Sequence, residues 1–284
     1  MIIANLATYP PRRAALKQVI QRLSNQVDKL NVVLNEYTEV PQWHLPQNVN
    51  LVIPPEDLKD CGKFYLTVGS DDVVFLVDDD ILYPPDYVAK TLDWLLRMPS
   101  ALYAVGFHGS LYRVPKSDPA KTILRWLRLA SDRNAIEVER KVFYFRSKLD
   151  NPILVDQLGT GTLAIRGRHL PPFEYMRTSQ KFVDVRLARW FFDRGIAPVC
   201  LPRKENWLAP IEHEETIYNQ FTVSAPAHIG REIQAFSLKR KNVGTMVRLN
   251  TEDENYGRTP AGGTSLPSSP SSASRPSSHA EAKG

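Results

Sequence analysis

The stretch Val73-Val74-Phe75-Leu76-Val77-Asp78-Asp79-Asp80 joins an uninterrupted apolar run, rich in β-branched valine, to three consecutive carboxylates. A run of this kind predicts a strand that is buried on both faces, as in the parallel sheet of an α/β protein. Ligands of open α/β sheets bind beyond the carboxyl ends of such strands. We therefore expect Asp78, Asp79 and Asp80 to lie at a ligand site.

These adjacent carboxylates repel one another, and partial burial at the end of a strand strengthens the repulsion. A divalent cation would remove it, and ligation by carboxylate oxygens alone suits Mg²⁺ or Mn²⁺ better than zinc. Asp78 and Asp80 are separated by one pleat period, so the spacing predicts that both face the same side. An exposed acidic turn that caps the following helix is the alternative.

The segments on either side of the triplet alternate between strand and helix patterns. Short apolar runs predict strands at Ile2–Ala7, Leu30–Asn35, Val49–Ile53 and Ala101–Phe107. Helical spacing and helix-start signals predict helices at Arg12–Val27, at Cys61–Gly69 and from Pro84 to Arg97. Strand–helix–strand order favours parallel pairing through right-handed crossovers. The predicted fold class is therefore α/β, with a doubly wound, mostly parallel central sheet flanked by helices.

The second half of the chain has less regular patterns. Strands are predicted at Val142–Phe145, Ile153–Val155, Leu163–Arg166 and Ala197–Leu201, and a helix at Val185–Arg194 that Gly195 ends. No linker interrupts the globular part, so we expect one domain over residues 1–250. Residues 251–284 are rich in Ser, Pro, Gly and Ala and lack bulky apolar residues, so we expect a disordered tail.

Composition limits the partners and the compartment. The formal net charge of +5 is spread along the chain, which suits anionic partners such as nucleoside diphosphates but not nucleic acid. Cys61 and Cys200 are the only cysteines, so neither a disulfide framework nor a zinc site is expected. No apolar run could span a bilayer and no signal-peptide pattern is present, which predicts a cytoplasmic protein. The basic amphipathic segment Lys121–Ala130 either packs on the domain or makes peripheral contact with an anionic membrane face.

The segment Val74–Asp80, followed by Tyr83-Pro84, resembles the DxD segment of GT-A glycosyltransferases, especially the family-2-like bacterial enzymes. The resemblance implies that Asp80 binds a metal ion, Mn²⁺ or Mg²⁺, that bridges the diphosphate of a nucleotide-sugar. It implies that Asp78 faces the ribose or the sugar. Asp79 belongs to the same nucleotide-sugar site without an assigned role.

Further segments, in order along the chain, resemble other parts of this family. They are Thr8-Tyr9-Pro10-Pro11-Arg12, similar to the nucleotide-binding entry loop; Gly62-Lys63, similar to a segment near the base and phosphates; Gly159-Thr160-Gly161, similar to the acceptor side; and Phe182-Val183-Asp184, similar to the position of the catalytic base. The resemblance implies a Rossmann-like GT-A fold. Its halves would be a nucleotide-sugar-binding part, residues 1–110, and an acceptor-side part, residues 111–250.

Several of these residues have a second interpretation. Asp184 can serve as the catalytic base or as the N-cap of the helix that follows it. Arg12 and Lys63 can neutralise phosphate charge or lie on a solvated surface. His213 can be a further metal ligand or a surface residue among charges, and His108, which follows a strand, is assigned a structural role.

Two features of the family are absent from the chain. Its Glu-Asp pair is Val183-Asp184 here, and its Gln-x-x-Arg-Trp acceptor segment is missing. The implied function is a metal-dependent, inverting glycosyltransferase that uses a nucleoside-diphosphate-sugar, with UDP favoured, in cell-surface polysaccharide biosynthesis. Its acceptor would be a hydroxyl of a saccharide or glycoconjugate. A GT-A-like nucleotidyltransferase and a catalytically inactive nucleotide-sugar-binding module are the alternatives.

Overall fold

A computed structural model describes residues 1–113, 139–211, 227–237 and 239–249 of the 284-residue chain. Three predictions lie outside these residues: the Lys121–Ala130 segment, the metal ligand His213, and the tail after residue 250. Met1–Asn250 forms one compact unit. None of the helices in the described ranges has the length and apolar character that a membrane span requires. Cys61 and Cys200 are both free and buried.

Helices or 3₁₀ turns connect several of the strands in the first half of the chain. The strands are β1 (Ile2–Thr8), β2 (Lys29–Leu34), β3 (Val49–Val52), β4 (Val73–Val77), β5 (Ile81–Leu82), β6 (Tyr103–Gly106), β7 (Gly109–Arg113), β8 (Glu139–Phe143), β9 (Ile153–Leu154), β10 (Gln157–Leu158), β11 (Thr162–Arg166), β12 (Ala197–Cys200) and β13 (Ala209–Pro210). The helices within the described ranges are α1 (Arg13–Leu23), α2 (Tyr87–Leu96), α3 (Phe173–Met176), α4 (Val183–Asp193) and α5 (Ala227–Phe236). Short 3₁₀ turns lie at Pro10–Arg12, Lys59–Phe64 and Gly167–His169.

Among the described strands, eight form one mixed sheet in the order β3-β2-β1-β4-β11-β6-β12-β9. The strands β3, β2, β1 and β4 are parallel, as the sequence predicts for the first half, and β6 is parallel to β12. However, β11 lies antiparallel between β4 and β6, and β9 is antiparallel to β12. The prediction of a mostly parallel sheet is therefore confirmed for the first half only.

The reversed direction of β11 follows the return of the chain from a second sheet, which has the strand order β10-β7-β8. The chain leaves β6 for β7, and β10 runs back antiparallel to β7. Only Gly159–Gly161 separate β10 from β11, which lies antiparallel to β6. The first residue of β11, Thr162, lies opposite Val77, the last residue of β4.

Both faces of β4 are covered. Phe75 and Val77 pack into one apolar core with residues of α1 and α2, whereas Val74 and Leu76 pack into a second core with residues of α4. Successive side chains of a strand point to opposite faces of the sheet, so this alternation confirms the doubly buried strand that the apolar run predicts.

Three helix starts near the triplet differ from the predictions. The segment Pro10–Arg12 forms a 3₁₀ turn, so α1 begins at Arg13 rather than at Arg12. The helix α2 begins at Tyr87 rather than at Pro84. The helix α4 begins at Val183 rather than at Val185, which places Asp184 inside its first turn and changes the role that this carboxylate can have.

Candidate functional site

The segments selected from the sequence meet at one edge of the sheet. The strands β1 and β4 are parallel neighbours, so Thr8 and Asp78 lie at the same edge, and β11 starts there. The residues brought together are Thr8, Arg12, Lys63, Asp78, Asp79, Asp80, Thr160, Gly161 and Asp184. This is the edge at which open α/β sheets bind their ligands.

Asp79 is the buried member of the triplet, with 5% of its surface exposed. Its Oδ2 accepts a hydrogen bond from Thr8 Oγ1 at 2.6 Å, and its Oδ1 lies 2.7 Å from Arg12 Nη1. Burial raises the pKa of Asp79 to about 6, although Arg12 and the Thr8 hydroxyl act in the opposite direction. These contacts assign Asp79 a role in holding the Thr8–Arg12 loop.

Arg12 joins Asp79 to Asp80. Its Nη1 lies 2.6 Å from Asp80 Oδ2, and 11% of its side chain is exposed against 33% for Asp80. Burial would lower the pKa of Arg12, but the two carboxylates outweigh this effect and the pKa is raised. The interpretation of Arg12 as a solvated surface residue is therefore wrong.

Asp78 has a different cationic partner, Lys63, and 37% of its side chain is exposed. The strand β4 ends at Val77, so the triplet lies in a turn where the strand pleat does not continue. The pleat argument therefore does not apply to Asp78 and Asp80. Lys63 holds Asp78, whereas Arg12 holds Asp80.

Gly161 and Tyr83 pack directly against Asp78. A Cβ atom on Gly161 would lie 2.7 Å from the Asp78 carboxyl carbon, so the close approach requires glycine. The buried Tyr83 hydroxyl donates to the Gly161 carbonyl at 2.6 Å and accepts from the Asp78 backbone N–H at 2.8 Å. The predicted acceptor-side segment is thus in contact with the predicted donor-side triplet.

Lys63 is 4% exposed and lies in the 3₁₀ turn Lys59–Phe64. This turn stands where the sequence predicts a helix at Cys61–Gly69. Its Nζ contacts Asp78 and lies 3.2 Å from Thr160 Oγ1. Burial would lower the pKa of Lys63, but the Asp78 carboxylate outweighs this effect and the pKa is raised. The solvated-surface interpretation of Lys63 is wrong, because its charge is buried and matched by Asp78.

Asp184 accepts a hydrogen bond at Oδ1 from the backbone N–H of Thr160, at 2.8 Å. The N-cap position of α4 is Phe182, so the interpretation of Asp184 as the N-cap is wrong. Contacts therefore run from Asp78 through Lys63 and Thr160 to Asp184. This polar chain joins the triplet to the carboxylate that the sequence proposes as the base.

Tyr9, Pro10 and Gly159 shape the backbone of the site. The Tyr9 carbonyl accepts a hydrogen bond from the Arg12 N–H at 3.0 Å, and Pro10 begins the 3₁₀ turn between them. The fixed φ of proline suits this position, so the turn directs Arg12 towards the carboxylates. The Gly159 N–H donates to the His108 carbonyl at 2.9 Å, which anchors the Gly159–Gly161 segment.

His108, to which the sequence assigns a structural role because it follows a strand, lies in the site. Burial lowers the pKa of His108, and Asp184 and Asp78 are close enough to oppose that effect in part. The imidazole is therefore neutral at pH 7. The signal that could have found it is its place just beyond β6, at the carboxyl edge of the sheet.

The donor set fits a metal ion that shares its ligands with a diphosphate. The described residues contain no group of three or more His, Cys, Asp or Glu side chains arranged to hold a metal. Mg²⁺ commonly takes one or two carboxylates, with substrate phosphates and water completing its shell. The partly exposed Asp80 can supply such a carboxylate, whereas Asp79 is occupied by Thr8 and Arg12 and Asp78 is paired with Lys63.

Asp60, near Lys63, is expected to reduce stability as the pH rises from about 4 to about 6. Burial raises the pKa of Asp60 to about 6, Asp184 adds to the effect, and the Lys181 backbone N–H and Lys63 oppose it. In this range an unfolded carboxyl, with its ordinary pKa of about 4, has lost its proton while the folded one keeps it, so rising pH favours unfolding. The contribution is at most about 3 kcal/mol.

Urea unfolding of Asp60→Asn from pH 4 to pH 6.5 checks this expectation. The variant should gain stability relative to the wild type as the pH rises, because it has no proton to lose. Asp71→Asn is the control, since the Asp71 side chain is 87% exposed. A constant difference between Asp60→Asn and the wild type across this range would contradict the expectation.

Comparison with known proteins finds no protein family that matches the chain and no curated protein that matches it. Among solved structures, one described only as the crystal structure of a mycobacterial protein is similar, with 17% sequence identity and a TM-score of 0.44. The match covers 77% of this chain and 69% of that chain. A similarity at this level carries no argument about function.

Proposed function

We propose that the chain is a metal-dependent, inverting glycosyltransferase of GT-A fold. It would move a sugar from a nucleoside-diphosphate-sugar to a hydroxyl of a saccharide or glycoconjugate. One observation carries the proposal: segments between Thr8 and Asp184 that resemble parts of this family lie in contact at the carboxyl edge of the sheet. The parallel strands β3-β2-β1-β4 lie next to the antiparallel β11. This mixed α/β sheet supports the GT-A assignment at the level of the fold class only.

The donor side combines anionic and cationic groups in the way that a metal–diphosphate complex requires. Asp80 would bind the metal ion through its partly exposed carboxylate, and Asp78 would face the ribose. The ion would offset the charge that develops on the leaving diphosphate. Arg12, which contacts Asp80, is placed to donate to a phosphate oxygen bound next to that carboxylate.

Asp184 would act as the general base. With Oδ1 held by the Thr160 N–H, the other oxygen, Oδ2, would take the proton from the acceptor hydroxyl. The acceptor oxygen forms a bond to the anomeric carbon while the bond from that carbon to the diphosphate oxygen breaks. The attack comes from the face opposite the leaving group, so the configuration is inverted, and the nucleoside diphosphate leaves.

The two alternatives account for less of the site. A nucleotidyltransferase of this sheet type usually opens with a glycine-rich phosphate loop, whereas Thr8–Arg12 contains no glycine and forms a proline-initiated 3₁₀ turn. An inactive binding module would not need the contact between Thr160 and Asp184, which orients a carboxylate beside the donor residues. The UDP preference, the cytoplasmic setting and polysaccharide biosynthesis stay expectations from the resemblance.

A thermal-shift screen of nucleoside diphosphates and nucleotide-sugars, each with Mn²⁺ and with excess chelator, tests the proposal. We expect at least one nucleotide-sugar to raise the Tm in the presence of Mn²⁺ only. By linkage, a ligand at a hundred times its Kd stabilises the folded state by about 2.7 kcal/mol. Release of free nucleoside diphosphate with the same nucleotide-sugar then separates an enzyme from an inactive binding module.

Asp80→Asn should abolish the Mn²⁺-dependent part of the shift, because the amide is a poorer metal ligand than the carboxylate. Asp71→Asn is the matched control: it removes one carboxylate at an exposed site before β4, away from the carboxyl edge. If no nucleotide or nucleotide-sugar stabilises the wild type, or if the shifts are unchanged in chelator, the proposal is wrong.

Gly161→Ala is expected to reduce sugar transfer at least tenfold. The new Cβ would overlap the Asp78 carboxyl group, so Asp78 must leave Lys63 or the β10–β11 connection must move. Gly195→Ala is the control, because Gly195 ends α4 with a φ of +67° and a Cβ added there would meet no atom within 4 Å. Gly195→Ala should lose roughly 1 kcal/mol of stability and keep its kcat. Equal kcat/KM in Gly161→Ala and wild type would contradict this expectation.

A further inference from the structure

The rings of His108, Tyr144 and Phe145 form an aromatic wall that lies next to Asp184 and has no part in the mechanism above. The His108 ring lies 5.7 Å from the Tyr144 ring in an edge-on arrangement and 6.1 Å from the Phe145 ring. A Cβ on Gly159 would lie 3.3 Å from the His108 ring, and the next residue, Thr160, holds Asp184. The wall is therefore continuous with the proposed base.

Tyr144 is the exposed end of this wall. Tyr144 is 45% exposed, which is unusual among the large aromatic residues that the structure describes. Exposed aromatic side chains beside a polar cleft are typical of ligand-binding surfaces, because the ring offers a large apolar face and loses little rotamer freedom. The exposure of Tyr144 is therefore a first sign that this surface receives a ligand.

Arg203 holds the backbone of the wall in place. It is 7% exposed, and its guanidinium donates to the carbonyls of Tyr144 at 2.5 Å, Phe145 at 3.2 Å and Leu201 at 2.8 Å. A buried cation satisfied by backbone carbonyls fixes the segment after β8 in one conformation. The wall is thus pre-organised, which lowers the ordering entropy that binding would otherwise require.

The polar character of the wall selects among ligand classes. No described residue forms a hydrogen bond with the His108 ring nitrogens, and the neutral imidazole has one donor and one acceptor to offer. A neutral donor–acceptor pair suits hydroxyl groups better than phosphate or carboxylate, because a hydroxyl can both donate and accept a hydrogen bond. A sugar ring presents hydroxyls at its rim and C–H groups on its faces, so it matches His108 and Tyr144 together.

We propose that His108 and Tyr144 form the acceptor subsite, in which the terminal sugar ring of a saccharide acceptor lies against Tyr144 with its hydroxyls towards His108 and Asp184. This inference rests on the proposed function and adds the acceptor class and its binding surface. His108 orients the attacking hydroxyl towards Asp184, and Tyr144 sets which sugar ring is accepted.

Saturation-transfer NMR with methyl glycosides of glucose, galactose and N-acetylglucosamine, at millimolar concentration, tests the subsite directly. We expect the wild type to saturate at least one glycoside. Tyr144→Ala should lose the signal, and Tyr144→Phe should keep it, because the ring rather than the hydroxyl provides the surface. Leu102→Ala is the control, since Leu102 is also 45% exposed but precedes β6 at the opposite edge of the sheet.

With the glycoside that binds best as acceptor, Tyr144→Ala should raise the acceptor KM at least tenfold, and His108→Ala should lower kcat as well. The Mn²⁺-dependent stabilisation by nucleotide-sugar should persist in both variants, which also shows that they fold. If no glycoside is saturated, or if Tyr144→Ala binds it as well as wild type does, the subsite is wrong while the donor site stands. Failure of the nucleotide screen would instead overturn the proposed function.

Discussion

Asp184→Asn is expected to lower the rate of sugar transfer by roughly 10²- to 10⁴-fold, the usual contribution of a general base. The amide oxygen can still accept the Thr160 N–H that Oδ1 accepts at 2.8 Å, so the fold of the site is preserved. The variant lacks a carboxylate that takes the acceptor proton. Nucleoside-diphosphate release in the presence of the acceptor, measured under single-turnover conditions, gives the rate of the chemical step.

The donor site provides the internal control for this variant. Its carboxylates contact Arg12 and Lys63, not Asp184, so the Mn²⁺-dependent thermal shift with nucleotide-sugar should match that of the wild type. Asp193→Asn is the matched variant on the same helix, because Asp193 pairs with Arg189 on the surface and should transfer sugar normally. Full transfer activity in Asp184→Asn would remove Asp184 as the base and leave the donor site untouched.

Local sequence patterns predict the first half of the fold well. Every residue of Val73–Val77 is apolar, which a strand covered on both faces requires, and β4 has these bounds. The strands β1, β2 and β3 alternate with helical or turn segments, which predicts their parallel order. Gly195 ends α4 in the left-handed region, where glycine meets no steric penalty.

The direction of β11 could not be predicted in the same way. The apolar run at Leu163–Arg166 indicates a strand, but a period of two residues carries no information about direction. Direction depends here on the antiparallel return of the chain along β10, which consists of only two residues, Gln157–Leu158. Such a short strand has no recognisable pattern, so the three-residue connection through Gly159–Gly161 became visible only in three dimensions.

The sequence predicts which residues belong to the site better than it predicts which cation pairs with which carboxylate. The resemblance assigns Thr8–Arg12 and the triplet to one nucleotide-sugar site, and both segments lie at the edge where the parallel neighbours β1 and β4 end. Which cation holds which carboxylate depends on side-chain directions in turns, where no periodicity applies. Lys63 reaches Asp78 from a 3₁₀ turn, and Arg12 reaches Asp79 and Asp80 from another.

Arg12→Ala is expected to change the affinities for metal and for nucleoside diphosphate in opposite directions. Arg12 Nη1 lies 2.6 Å from Asp80 Oδ2, so a metal ion at Asp80 competes with the guanidinium for the same carboxylate. A hydrogen bond to a charged group contributes about 1.5–3 kcal/mol, so its removal should tighten Mn²⁺ binding by roughly tenfold or more. Nucleoside-diphosphate affinity should fall, because the phosphate loses a cationic partner.

Arg12→Ala will also lower the stability of the folded protein, so a second variant is needed that avoids the buried unpaired charge. Asp79 is 5% exposed and loses its cation, and removing one partner of a buried ion pair typically destabilises by about 3–5 kcal/mol. Arg12→Ala with Asp79→Asn removes the unpaired charge while it leaves Asp80 free for the metal. Arg13→Ala, at the next and exposed position, is the control for loss of a positive charge.

Calorimetric titration of Mn²⁺ into each variant without nucleotide measures the affinity for the metal. The titration is done at about 10 °C to keep the proteins folded. Thermal shifts with the nucleoside diphosphate measure the affinity for that ligand. Since the two effects have opposite signs, a general loss of structure cannot imitate them, because unfolding would weaken both. Unchanged or weaker Mn²⁺ binding in Arg12→Ala and in the double variant would mean that Asp80 is not the metal ligand. Unchanged nucleoside-diphosphate binding with tighter Mn²⁺ binding would keep Asp80 in that role and remove Arg12 from the phosphate site.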